Sequence, residues 1–342
     1  MITLRWVKAY PNESIDNAVT GLQWALSQVG ARNIESSIVQ QNELKMQIDV
    51  SKMGFSPQAI TQFEILHNKI KLSEAYQENF SVDLGRYIAL IIGASEHYYK
   101  IVGQPIKYTD LIKSYKLTDK PGFINESSVS PKDRLIRFSG QIDFDQLYVA
   151  EELDKMTGEL LEIETFDLME NGQLRFAIYD KEGNRVPSAD PKKSNAGKPA
   201  KCMWCHESSI QPLFANQNDY PGFLTYLELK DTLEFYKSKH EMNQVALVGG
   251  VNYADKIVHE EMELLYISFM EPSLARLMNE WNMSEDEVKE TVSELETHIY
   301  PEFSFLGDLY HREDVEKLAP YAVLPTSSSV RETSVIEVNH LN

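Results

Sequence analysis

Two hydrophobic periods share the first third of the chain. Residues 2–9 (ITLRWVKA) read as a strand. Ile15, Val19, Leu22, Leu26 and Val29 then recur at the spacing of one helix face, up to Gly30. Leu44, Met46, Ile48 and Val50 alternate with polar residues, the pattern of a half-buried strand. Ser56–Pro57 pairs a capping hydroxyl with a proline at the first helical position, where its missing N–H costs nothing. From there to Val102 the pattern is largely helical, through DLGRYIALIIGASEHYYKIVG.

From about residue 130 the pattern turns β-rich. Arg134–Phe138 and Gln146–Ala150 are strand candidates, and LEIETFDL (161–168) and QLRFAIYD (173–180) flank Asn171–Gly172, a favoured hairpin turn pair. VPSADPKKSNAGKPAK (186–201) reads as a loop. Beyond it the chain is helical again. Ala254, Val258, Met262, Leu265 and Phe269 share a face, Met270-Glu271-Pro272 breaks it, and SLARLMNEW restarts it. Ser284 to Glu287 has the form of a capping box, with Val288, Val292, Leu295 and Ile299 continuing the helix. The tail YAVLPTSSSVRETSVIEV reads as extended. These patterns predict an α+β protein: an α+β domain over 1–185, then a mainly helical region over 186–342 with its lead-in loop at 186–201.

The bulk numbers narrow the partners. With 33 basic and 52 acidic residues, the formal net charge of -19 repels nucleic-acid phosphates and anionic lipid headgroups. No apolar run approaches the roughly 20 residues of a membrane-spanning helix. The longest, YIALIIGA (87–94) and VALVGGV (245–251), suit core elements. The N-terminal MITLRWVKAYPNES shows no export signal, so the expectation is either a cytoplasmic chain or a mature form whose leader has been removed.

The candidate chemistry lies in one stretch, KPAKCMWCHESSIQPLF (198–214), which holds both cysteines of the chain. Cys202-Met203-Trp204-Cys205-His206 has the C-x-x-C-H form of covalent haem attachment. Two cysteines placed at random reach this spacing ahead of a histidine about once in ten thousand. The alternatives are a thioredoxin-type redox pair, a zinc site and inert thiols. The zinc reading lacks a second Cys or His pair at short spacing, and the redox reading lacks the β-α-β setting.

Over these five residues the chain resembles the c-type cytochromes. The resemblance implies one covalent haem c, with Cys202 and Cys205 as thioether residues and His206 as the proximal ligand to iron. It implies an extracytoplasmic, periplasmic-type location and a redox partner protein. The loop ahead of the motif departs from the small class I domain, in which a helix near the start leads into it. The sixth iron position then separates an electron carrier or redox sensor from a haem enzyme or gas sensor with an open site. Candidates downstream are Met242, Met262, Met270, Met278, Met283, His240, His259, His298 and His311, with Met270 preferred because it sits at a helix break before Pro272. Lys192, Lys193, Lys198 and Lys201 form a basic cluster that could meet haem propionates or an acidic partner. A haem-free binding protein with a redox-active or structural cysteine pair is the remaining reading.

Overall fold

The structure is a computed structural model that describes residues 1–140, 145–210, 212–247, 249–253, 256–331 and 336–342. The chain opens with β1 (Ile2–Arg5) and α1 (Ile15–Gln28), the latter capped by the Ser14 side chain. β2 (Ile38–Gln40) and β3 (Lys45–Ile48) follow, then α2 (Pro57–Leu72), capped by Ser56 as its sequence predicts, and α3 (Glu74–Asn79). A two-residue strand, β4 (Val82–Asp83), leads into α4 (Leu84–Ile88), a wide π-type turn (Ala89–Gly93), α5 (Ser95–Val102) and α6 (Tyr108–Ile112). The first sheet has the order β2-β3-β1-β4, with β4 parallel to β1 and the other pairs antiparallel.

The second sheet is a five-stranded antiparallel meander of β5 (Gly122–Ile124), β6 (Asp133–Phe138), β7 (Leu147–Leu153), β8 (Leu160–Leu168) and β9 (Leu174–Asp180), paired in chain order. Gly172 takes the left-handed conformation that the expected Asn–Gly turn demands. Register builds rows on one face, because side chains two apart share a side. Phe138, Tyr148, Phe166 and Phe176 form an aromatic row, and Arg134, Glu152 and Glu162 form a charged row at the other end.

α7 (Pro199–His206) lies against this sheet. It is followed by α8 (Tyr226–Leu247), α9 (Lys256–Met270), α10 (Leu274–Trp281) and α11 (Glu285–Thr291), the last starting with the expected capping box. A small β10 (His298–Ile299) and β11 (Asp308–Leu309) hairpin and α12 (Arg312–Val315) complete the elements, and residues 336–342 are extended. No helix of the described residues is long and apolar enough to cross a membrane. Ala254 and the side chain of Val258 lie outside the described residues; Met262, Leu265 and Phe269 are buried as their spacing predicts.

Some expectations change. The helix after the capping box stops at Thr291, and Ile299 lies in β10. The regions on either side of 185/186 share one buried cluster, which runs from Ile2 to Leu341. Within it α1 crosses α9 closely, and a Cβ on Gly21 would stand 2.8 Å from the Glu261 carbonyl oxygen. The lead-in loop ends early, since Pro199 starts α7 and residues 199–201 are already helical. Finally, YIALIIGA is buried throughout, whereas in VALVGGV Val245 is 71% exposed on α8, Gly249 and Gly250 are exposed and Val251 packs on the core; Val248 and the side chains of Ala246 and Leu247 lie outside the described residues.

Candidate functional site

The motif occupies most of α7. Proline at the first helical position pre-sets its backbone, and the helix stops in two consecutive left-handed residues, Glu207 (φ 46°) and Ser208 (φ 58°). Cys202 and Cys205, three apart, and His206, four from Cys202, therefore share one side of a short helix. All three line a cleft of about 960 Å³, its open mouth included, between α7 and the second sheet. Its walls are mainly apolar, with Ile136, Tyr148, Phe166 and Phe176 from the sheet and Leu213 and Phe214 from the segment after the motif. Arg134, Glu164 and Lys201 are its charged members.

His206 rests on the aromatic row, its ring centroid 5.1 Å from Phe166 and 5.5 Å from Phe176. Burial pushes its pKa down to about 4, opposed by the bond to Ser209, so the imidazole is neutral at pH 7. Nδ1 lies 3.3 Å from the Ser209 carbonyl oxygen. A carbonyl can only accept, so Nδ1 carries the proton and the lone pair is on Nε2. That is the tautomer of a metal-ligating histidine.

Both thiols are held above the ordinary range. Burial, with Glu164 next in order, pushes the Cys202 thiol well up, and burial raises Cys205 as well. A dithiol catalyst needs a lowered thiol pKa. Among the described residues, the metal-competent cluster is Glu152, Glu162 and Glu164, with ligand atoms within 4.8 Å of one another, and it excludes the cysteines and His206. Arg134 already bridges part of it, 3.1 Å from Glu152 and 2.9 Å from Glu164.

The structure brings Cys202, Cys205 and His206 together and leaves the distal candidates elsewhere. Met270 is buried at the end of α9, its sulfur 4.0 Å from Thr326 Oγ1, and does not line the cleft. Its helix break turns it into the main core, not toward His206. Met262 is core, Met242 is exposed, and Met278 and Met283 pack on the separate small core of Leu277, Trp281 and Val288. His240 Nε2 donates to the Gly172 carbonyl at 2.7 Å, His259 stands edge-on to Trp24, and His298 stacks on His311.

The basic cluster also disperses. Lys198 is buried in an ion pair with Glu337, Lys193 faces Asp190, Lys192 is exposed, and Lys201 alone reaches the cleft. The sheet half of the site was hidden in sequence. Its one visible signal is the alternation in LEIETFDL, which sets Glu162 and Glu164 on the same side as Phe166. No protein-family model, curated protein or solved structure matches this chain.

Proposed function

We propose that this is an extracytoplasmic mono-haem c-type protein that transfers electrons, or senses redox state, through one haem attached at Cys202 and Cys205. The observation that carries the reading is the convergence of Cys202, Cys205 and His206, whose Nδ1 carries the ring proton, on one mainly apolar cleft. When bound, the group supplies a one-electron iron couple.

The chain's residues do the rest. Cys202 and Cys205 would hold the group through two thioethers beside α7. His206 offers a neutral nitrogen whose direction is set through Nδ1. Phe166 and Phe176 pack against the imidazole, and Lys201 is the cation of the cleft that would meet ring carboxylates, since Arg134 is held by Glu152 and Glu164. A redox partner protein would meet the open mouth of the cleft.

One observation favours a second reading of the same site. Among the described residues lining the cleft, none besides His206 is an imidazole and none is a thioether; the one amine, Lys201, is on the same helix as His206. That favours an open sixth position and hence a haem c enzyme or gas sensor. The haem-free redox pair is weakened by the raised thiol pKa values.

The test is expression with an export leader in cells competent for haem attachment. Denatured protein is expected to keep its porphyrin absorbance, and the intact mass to exceed the chain by one haem. A bare-chain mass from those cells would overturn the reading.

A further inference from the structure

The turn that follows His206 is unusual for its sequence. Glu207 and Ser208 are both left-handed without being glycine, a conformation in which Cβ crowds the following carbonyl oxygen. It is what swings the Ser209 carbonyl back to His206 Nδ1. Such a turn persists only where its surroundings over-determine it. Here the surroundings are two buried glutamines. Gln28, the last residue of α1, donates through Nε2 to Ser208 Oγ, and Gln244 of α8 donates to the Ser208 carbonyl oxygen at 2.8 Å.

Both amides are 0–1% exposed, and Ser208 is 3% exposed. The cluster extends further: Gln244 also reaches Gln173 Oε1 at 3.3 Å, and Gln173 holds Ser27 Oγ at 2.8 Å. Gln28 Oε1 has no partner among the described residues. A buried acceptor left empty is unfavourable, so the amide is engaged here through its N–H group alone.

We propose that Gln28 and Gln244 are positioning residues for the axial histidine, clamping the 207–209 turn so that His206 presents an unprotonated Nε2 to the cleft. The proposal rests on the haem reading for its purpose, but its geometry does not need haem. It gives the N-terminal α1 a role in the site, acting on a turn 180 positions away.

The test uses the full chain in two states. In haem-free protein, the ring ¹⁵N shifts of His206 are expected to report a single Nδ1–H tautomer. Gln28→Met and Gln244→Met should give mixed tautomers with the far-ultraviolet spectrum unchanged. Ser208→Gly, which removes the left-handed cost, should restore the single tautomer in the Gln244→Met background. In haem-loaded protein, both methionine variants should keep covalent haem while the reduction potential and ferric spectrum shift.

Folded variants with a single Nδ1–H tautomer and an unshifted potential would overturn the proposal. If either glutamine variant fails to fold, Ser208→Ala carries the test by the same criteria, since it deletes one oxygen. Loss of haem attachment in the wild type, with the tautomers behaving as stated, counts against the haem reading and leaves the clamp standing.

Discussion

Lys198 Nζ lies 2.8 Å from Glu337 Oε1, with the lysine side chain 2% exposed. This pair ties the residue that opens α7 to the C-terminal segment. The ammonium also donates to the Ser328 carbonyl at 3.0 Å, and Glu337 accepts from the Ser95 amide at 3.0 Å. Removing one member of a buried pair leaves the other charge uncompensated, at a cost of about 3–5 kcal/mol. Lys198→Met is expected to lose that much unfolding free energy in urea, and the Lys198→Met/Glu337→Gln double variant less than the sum of the singles. Additive losses would show that the two groups are not coupled.

His97 sets the acid response of the same segment. Its Nδ1 donates to the Leu90 carbonyl at 2.6 Å and its Nε2 accepts the His340 amide N–H at 2.7 Å, so the ring works only when neutral. Burial depresses its pKa to about 4, opposed by the Leu90 bond and reinforced by His340, Lys100 and Lys69. The folded value lies below the ordinary 6.5 or so, and the native state therefore binds fewer protons than the unfolded state between those limits. Its contribution is complete above about pH 6.5 and is lost as pH falls through 4. Hydrogen-exchange protection factors at residues 336–342, relative to the intrinsic rate at each pH, should fall as pH drops over that range, and His97→Gln should remove the pH dependence.

Glu162 acts with the opposite sign. Burial, with Glu164 and Glu152 nearby, raises its carboxyl to about 7, against the lowering bond from the Asp190 amide. The native state holds a proton that the unfolded state has released, so this contribution is present below about pH 4.5 and is lost as pH rises through 7. Glu162→Gln is expected to gain stability relative to wild type between pH 5 and 8, on the order of 1–3 kcal/mol. Urea titrations at both ends of the range check it; a constant difference would show that Glu162 does not titrate there.

Gly21 makes the α1–α9 crossing possible. A methyl group there would also meet Leu265 Cδ1 at 2.6 Å, and the Glu261 backbone cannot rotate away. Gly21→Ala should cost roughly 1–3 kcal/mol despite its better helix propensity, measured by thermal or urea unfolding. Stabilisation by the alanine would mean that the helices are further apart.

Within the proposed haem protein, His206→Ala should abolish the native iron spectrum while leaving attached porphyrin in part. Met270→Leu should leave the spectrum and potential unchanged, because its thioether is in the core. Rapid carbon monoxide binding by the ferrous wild type would accompany an open sixth position. A near-infrared sulfur-to-iron band lost in Met270→Leu would reverse this assignment.

Local signals carried much of the fold. Serine caps at 56 and 284, the Asn171–Gly172 turn and the helical face of α1 appear in the structure where their residues place them. Each depends on neighbours within about four positions, so a linear reading reaches it. The motif is of the same kind, since 202 to 206 fit in little more than one helical turn. Met270 lies in the main core and off the cleft, since a helix break says that a side chain can turn, not which way. The regions on either side of 186 share one buried cluster, and a polar lead-in looks the same whether the flanking segments pack together or apart.

By itself, the sequence determined the α+β character, the elements with strong local signals and the clustering of two thiols and an imidazole. Only the tertiary structure decided what surrounds them. The aromatic row depends on the register of four strands, and the clamp on Ser208 joins α1 and α8 to one turn. Such contacts are fixed by which buried faces pack together, a property of the whole core that no window of neighbouring residues contains.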